Sequence, residues 1–204
     1  VKMSKFDKYA GLFAEEGGFD IPANWQAGVS YTIAEKYTIL FDVRQILYSQ
    51  VKSIANPMNP QEMMPMVPNM GPSYDPTDPN TYMVPNEGFV PLGDENGAGF
   101  GWEDVMVFKL GLEVAAVETW QFRGGFSYGN TPVQESEVMF NILAPAVNTT
   151  HISLGLTKEI KDHALNFAVT HALNNKVSGQ NPFDPAQTIE LEMNQWEFEL
   201  GFRF

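Results

Sequence analysis

Cysteine is absent from the 204 residues, which excludes a disulfide framework and thiolate chemistry. Basic residues are scarce, with 12 Lys and Arg against 25 Asp and Glu. A nucleic-acid partner is thereby excluded, because phosphate recognition needs clustered cations. No apolar run reaches the roughly 18 residues of a membrane helix. A bilayer can still be crossed by strands, which need only about 9–11 residues and alternate instead of running apolar throughout. No apolar signal core follows Val1-Lys2-Met3-Ser4-Lys5, so the chain is expected to be mature or a fragment. The three histidines are scattered and form no catalytic triad. Asp75, Asp78, Asp94 and Glu95 lack EF-hand spacing and are read as solvated turns. No catalytic constellation, metal site or cofactor is expected.

What is present is period-two alternation, in seven segments. The first, Trp25 to Ile33, sets Trp25, Val29, Tyr31 and Ile33 against Gln26, Gly28, Ser30 and Thr32. The second, Tyr37 to Tyr48, sets Tyr37, Ile39, Phe41 and Val43 against Thr38, Asp42 and Arg44. The third and fourth, Val105 to Val114 and Trp120 to Tyr128, put Phe108, Leu110, Phe122 and Phe126 opposite Lys109, Glu113, Arg123 and Ser127. The fifth and sixth, His151 to Thr157 and Leu165 to Leu173, follow the same rule. The seventh closes the chain with Trp196, Phe198, Leu200, Phe202 and Phe204 in phase.

Connections alternate in length. Short turns join the first to the second strand, the third to the fourth and the fifth to the sixth. Long segments, roughly Ser49 to Asp104, Gly129 to Thr150 and Asn175 to Ile189, join the others. Outer-membrane barrels segregate their loops in this way, with the long ones outside the cell. Charge placement agrees. A cation on the lipid face near the midplane costs about 2–4 kcal/mol, and Arg44, Lys109, Arg123 and Arg203 all fall in polar phase. Lys158, in apolar phase at a strand end, can reach the interface by snorkelling. His171 is also in apolar phase, near a long-loop end. Trp25, Tyr48, Trp102 and Tyr128 mark one interface belt, and Tyr37 and Trp120 the other. The expected fold is an all-β, antiparallel transmembrane β-barrel in the bacterial outer membrane. A soluble β-sandwich is the rival, disfavoured by charged polar faces set against so aromatic an opposite face.

Single-chain bacterial barrels have even strand numbers. Counting back from Phe204, an odd seven leads to the expectation that residues 1–204 are the carboxy-terminal portion of one longer barrel. A family resemblance points the same way. Met3-Ser4-Lys5-Phe6-Asp7-Lys8-Tyr9, Gly11-Leu12-Phe13-Ala14-Glu15 and Phe19-Asp20-Ile21-Pro22 resemble the stretch before a mid-barrel strand in FadL-like (OmpP1/FadL/TodX) outer-membrane transporters. So do Asp42-Val43-Arg44-Gln45-Ile46-Leu47-Tyr48 with Ile54-Ala55-Asn56-Pro57, Gly101-Trp102-Glu103-Asp104, and Phe122-Arg123-Gly124-Gly125-Phe126-Ser127-Tyr128 with Thr131-Pro132-Val133. The resemblance implies a 14-strand barrel of which this chain supplies the last seven strands, the amino-terminal plug being absent. It implies passive uptake of long-chain fatty acids or other hydrophobic compounds by loop capture, lumen passage and lateral release. Outer-membrane lipid, lipopolysaccharide and the barrel-assembly machinery are the implied partners, the last reading Phe202 and Phe204 as a closing signal. A basic lumen position of the family corresponds to Glu103 here, which weighs against a carboxylate-bearing ligand. A general porin or structural barrel is the alternative.

Two sets of residues are candidates for the site. The long segment between the second and third strands, residues 49–104, holds nine of the 14 prolines and six of the 10 methionines. Met58, Met63, Met64, Met66 and Met70, with Phe140 from the next long loop, form a candidate capture surface, since methionine adapts to varied apolar ligands. The same residues also suit plain anchors that fold a Pro-rich loop. Arg44, Lys109 and Arg123 face the expected lumen, where they either orient a ligand carboxylate or pair with Asp42, Glu113, Glu197 and Glu199 to brace the wall.

Overall fold

The computed structural model describes residues 11–14 and 17–204, apart from the side chains of 116 and 117. The entry segment Met3 to Tyr9 therefore lies outside the described residues. The chain forms two compact units, one containing Tyr48–Trp102 together with the described residues up to Pro22, the other Ala23–Leu47 with Glu103–Phe204. No described helix is long and apolar enough to cross a membrane.

In chain order the strands are β1 (Asn24–Ile33), β2 (Tyr37–Ile46), β3 (Met66–Pro68), β4 (Met83–Pro85), β5 (Val105–Val117), β6 (Trp120–Gly129), β7 (Thr150–Ile160), β8 (His163–Asn181) and β9 (Asp184–Arg203). Seven of them make one antiparallel sheet in the order β1-β2-β5-β6-β7-β8-β9, each paired with its neighbour in sequence within this unit.

The register carries one face unbroken across all seven strands. Val29 lies opposite Phe41, Phe41 opposite Leu110, and Leu110 opposite Phe126. Phe126 then faces Ile152, Ile152 His171, and His171 Trp196. Because side chains alternate at period two, every residue of this row points to the same side. Large apolar side chains stand bare on it: Val29 is 72% exposed, Leu154 61% and Leu200 73%. A soluble sandwich would bury this face against a second sheet of similar size. The only other sheet among the described residues is the three-residue β3–β4 ribbon. A face of this kind is at home in lipid.

Short turns gather at one end. Ile33–Lys36 closes on a Lys36 N–H to Ile33 carbonyl bond of 3.1 Å, with Ala34 and Glu35 at φ 52° and 53°. Positive φ at both central positions is the type I′ geometry that suits a hairpin's twist. Within this unit Tyr37 and Trp120 open their strands at the short-turn end, and Trp25 and Tyr128 lie at the opposite end of theirs. Lys158 lies 4.5 Å from the Trp120 ring centroid and donates to Thr119 Oγ1 at 2.7 Å, so it does leave the apolar face for the strand end. His171 stacks on Trp196 at 3.9 Å and bonds Asn194 Oδ1 at 3.0 Å.

The structure differs from the sequence expectation in two places. The second strand ends at Ile46, and Tyr48 opens a short 3-10 turn instead of continuing it. The expected loop from Asn175 to Ile189 is a continuation of β8 and β9, closed by a tight turn between Asn181 and Asp184. A register shift between Ala172 and Asn175 breaks the alternation, and beyond it most residues are polar, with Leu191 a buried exception. The hydrophobic signal for a strand is therefore lost although the pairing continues. Asn148 caps this shift by donating to the carbonyls of Leu173 and Met193, both at 3.0 Å. Asn175 donates to the Val147 carbonyl at 2.7 Å.

In the other unit the Pro- and Met-rich segment is folded. It holds α1 (Lys52–Ala55), α2 (Pro60–Met63) and the β3–β4 ribbon. Pro60 sits in the first turn of α2, where a missing N–H costs nothing, and Asn59 caps it by accepting from the Gln61 N–H at 3.1 Å. Asparagine side chains tie its loops together around the buried Val51 and Ala98. Asn56 Nδ2 donates to the carbonyls of Glu95 and Gly97 at 2.8 and 2.9 Å. Asn86 Nδ2 donates to the Met64 carbonyl at 2.8 Å. Ser53 Oγ bonds the Gly18 carbonyl.

Candidate functional site

The polar face of the seven-stranded sheet carries the three candidate cations. Gly28, Asp42, Lys109, Ser127 and His151 form one row across five strands. The next rows run through Ser30, Leu40, Gly111, Gly125, Ser153, Thr170 and Glu197, then through Thr38, Glu113, Arg123, Gly155, Ala168 and Glu199. Small side chains in mid-sheet leave room above the wall, and charges rise from its sides.

The three cations are held differently. Arg123 is committed: its Nε donates to Glu113 Oε2 at 2.6 Å, its Nη1 to Thr157 Oγ1 at 2.8 Å and its Nη2 to Gln121 Oε1 at 2.7 Å. Thr157 in turn donates to Asn166 Oδ1 at 2.7 Å, so the chain of bonds spans β5 to β8. Arg44 is half-committed. Its Nη2 donates to Asn24 Oδ1 at 3.2 Å, while its buried Nε has no hydrogen-bond partner among the described residues. Lys109 stands across the register from Asp42 and Ser127. Asp42 itself accepts from Gln26 Nε2 at 3.1 Å. The three do not converge on a single point: Arg123 is a wall brace, and Arg44 and Lys109 lie nearer the long-loop end of the sheet.

The capture candidates are scattered. Met64, Met66 and Met70 are exposed, whereas Met58, Met63 and Phe140 are half-buried. Met66 and Met83 stand on one face of the β3–β4 ribbon with Pro68 and Pro85. Asp75 and Asp78 shape turns, accepting from the N–H groups of Thr77 and Asn80 at 2.8 and 3.0 Å. The bonds from Thr77 hold the Asp75 carboxyl below its ordinary range. Sequence reasoning did not single out Tyr74 and Tyr82, whose ring centroids come to 5.7 Å. Nothing in their spacing signals that a turn will bring them together.

The family described as "Outer membrane protein transport protein (OMPP1/FadL/TodX)" matches residues 16–195. No curated protein matches the chain. Among solved structures, a TodX monoaromatic hydrocarbon channel deltaS2 mutant is 14% identical with a TM-score of 0.52, over 90% of this chain and 35% of that one. The toluene transporter TbuX of Ralstonia pickettii is 18% identical with a TM-score of 0.45, over 90% of this chain and 33% of its own. The chain thus spans about a third of the length of these channels. The TodX likeness supports the fold: seven strands of an antiparallel transmembrane β-barrel.

Proposed function

Because the chain belongs to the outer membrane protein transport family OMPP1/FadL/TodX and resides in the Gram-negative outer membrane, we propose that it takes part in passive uptake of hydrophobic compounds across that membrane. The family match over residues 16–195 carries this reading. The exposed apolar face of the sheet and the polar opposite face support it, since together they suit a wall between lipid and a lumen.

The route has three stages. Exposed Met64, Met66 and Met70 are the capture surface, offering polarizable contacts to ligands of varied shape. Passage follows the polar face, where Arg44 and Lys109 are the cations available to an acidic headgroup and Arg123 keeps the wall rigid. Lateral release into the membrane completes the route and is assigned to no residue of this chain. Long-chain fatty acids and neutral hydrocarbons are both substrates of such a path, and the polar-face cations Arg44 and Lys109 are what favour admitting the former.

The test is flux. The complete protein, reconstituted into liposomes, should speed entry of palmitate or p-xylene and leave glucose entry unchanged. Equal acceleration of glucose would instead identify a general pore. Arg44→Met and Lys109→Met should slow palmitate and spare p-xylene.

A further inference from the structure

The short-turn end of the apolar face holds a cation to which the protein supplies no acid. Trp120, Lys158, Leu165 and Phe202 form one row across β6 to β9, on the same side as Phe122, Leu154 and Phe198. Lys158 is thus a charge in apolar phase, tolerated because it stands at a strand end. Its ammonium lies 4.5 Å from the Trp120 ring centroid and donates to Thr119 Oγ1 at 2.7 Å. No carboxylate among the described residues comes within ion-pair distance of it. Glu159, its neighbour in sequence, points to the other side of the sheet and is taken by Arg203 at 2.9 Å. Glu118, beside Thr119 in the turn, is exposed and makes no ion pair.

Donors are left over at this strand end. Lys158 has three N–H groups, and the bond to Thr119 uses one. Thr119 accepts that bond, so its own hydroxyl proton is uncommitted. The Trp120 Nε1–H has no acceptor among the described residues. A cation, an indole N–H and a hydroxyl are gathered here without an anion.

Toward the middle of the sheet the apolar wall has a gap. Trp120 stacks on Phe122 at 6.2 Å and 9°. Next on this face comes Gly124, between Phe122 and Phe126 and opposite Leu112 and Leu154. Its surroundings do not demand glycine: a Cβ there would meet only Leu154 Cδ2, at 3.9 Å. Four residues beyond Trp120 is about 13 Å along the strand and, at a tilt of about 40°, about 10 Å of depth. One leaflet's hydrocarbon is about 15 Å deep. The gap therefore lies at acyl-chain level beneath a headgroup resting on Lys158.

The matching guest is an amphiphile with an anion at the interface. A phosphate would take charge-assisted bonds from Lys158 and accept from the indole and the hydroxyl. Short turns of outer-membrane barrels are periplasmic, which selects the inner leaflet. We propose that Lys158, Trp120 and Thr119 hold the phosphate of a phospholipid of the periplasmic leaflet, with one acyl chain lying across Gly124. The site is on the lipid-facing wall and is independent of any transported compound.

Native mass spectrometry of the complete protein in detergent counts bound lipid, with dipalmitoyl phosphatidylglycerol as probe. One equivalent should persist under conditions that strip dipalmitoylglycerol, which lacks the phosphate. Lys158→Gln should weaken the dissociation constant about three- to tenfold, the scale of one charge-assisted contact at a wetted interface. Lys158→Arg should restore it, and Lys161→Gln, in the neighbouring turn, should leave it unchanged. Gly124→Leu fills the gap and should weaken the dipalmitoyl lipid while sparing the dihexanoyl one, whose chains stop short of it. Heat-modifiable gel mobility shows that each variant is folded. Equal losses in Lys158→Gln and Lys161→Gln would reduce the site to general surface charge. Retention of dipalmitoylglycerol would remove the phosphate, and a Gly124→Leu effect that ignores chain length would remove the acyl contact. Tighter binding of lipid A would assign this end to the outer leaflet. Each of these four results overturns the assignment.

Discussion

Arg123 donates from Nε to Glu113 Oε2 at 2.6 Å, directly across the β5–β6 register. This pair explains why one of three lumen-side cations is a poor candidate for ligand recognition. Every bond it makes strengthens the wall, and a carboxylate ligand would have to displace Glu113 to reach it. Both side chains keep solvent access, 43% and 37%, so the ion pair alone is worth well under about 1 kcal/mol. The bonds to Thr157 and Gln121 add to it. Arg123→Met is expected to lower stability to urea, followed in detergent micelles, by about 1–2 kcal/mol. Glu113→Gln, which keeps an acceptor, should cost less. Neither change should alter affinity for palmitate, and a loss of affinity matching that of Arg44→Met would move Arg123 into the ligand path.

The turn at Ala34 and Glu35 stores strain. Both residues occupy the left-handed region, φ 52° and 53°, where a side chain costs about 1 kcal/mol relative to glycine. Asn-Gly is the sequence such a turn favours. Glu35→Gly is therefore expected to raise stability by about 0.5–1 kcal/mol. Glu35→Val should lower it, because β-branching worsens the same clash. The readout is the urea midpoint at constant slope.

The faces of the seven strands were legible because period-two alternation is written into residues such as Val29, Phe41 and Leu110, and a bilayer makes one face uniform. The sides taken by Arg44, Lys109 and Arg123 follow from the same rule. Their partners do not. The Arg123–Glu113 pair depends on which residue lies opposite which, and that is set by the short turn and by the register shift between Ala115 and Val117. The outward continuation of β8 and β9 was illegible for a different reason. Past Ala172 the hairpin answers to its neighbouring loop, not to lipid. Gly179 shows this: a Cβ there would collide with the Glu135 carbonyl oxygen. The Tyr74–Tyr82 pair depends on Asn69 and Thr81 acting through the backbone, and no hydrophobic pattern records such bonds.

The projecting hairpin also carries a pH dependence. Glu190 accepts from Lys176 Nζ at 3.1 Å and Ser178 Oγ at 3.2 Å. The Lys176 bond, then the Ser178 bond, then the Lys176 charge hold its carboxyl below the ordinary range. A depressed native pKa means stability that is fully present above the unfolded value and is lost as pH falls through the folded one. The hairpin should therefore be unaffected between pH 8 and 6 and loosen only in acid, at or below about pH 4. Amide exchange across residues 176–190 reports it. Lys176→Met should raise the Glu190 titration, followed by carboxyl NMR, toward the usual carboxylate range. A titration that stays put would show that Ser178 alone sets it.

Leu154 and Ser153 are adjacent on β7 and point to opposite sides of the sheet. Leu154 is 61% exposed in the unbroken apolar face, near the middle of its strand. Ser153 belongs to the polar row that continues through Thr170 to Glu197. An arginine at the two positions faces different solvents. Leu154→Arg puts a guanidinium into hydrocarbon near the midplane and should cost about 2–4 kcal/mol of folding stability in lipid. Ser153→Arg enters a wetted face with an acid in the same row and should stay within about 1 kcal/mol of the parent. The comparison is made by urea unfolding in bilayers, where the lipid face stays covered. The difference between the two neighbours should exceed either one's scatter, and it should shrink in short-chain detergent, whose thinner apolar layer lets the Leu154→Arg side chain reach water. Equal penalties in bilayers would mean that the apolar face is not in lipid.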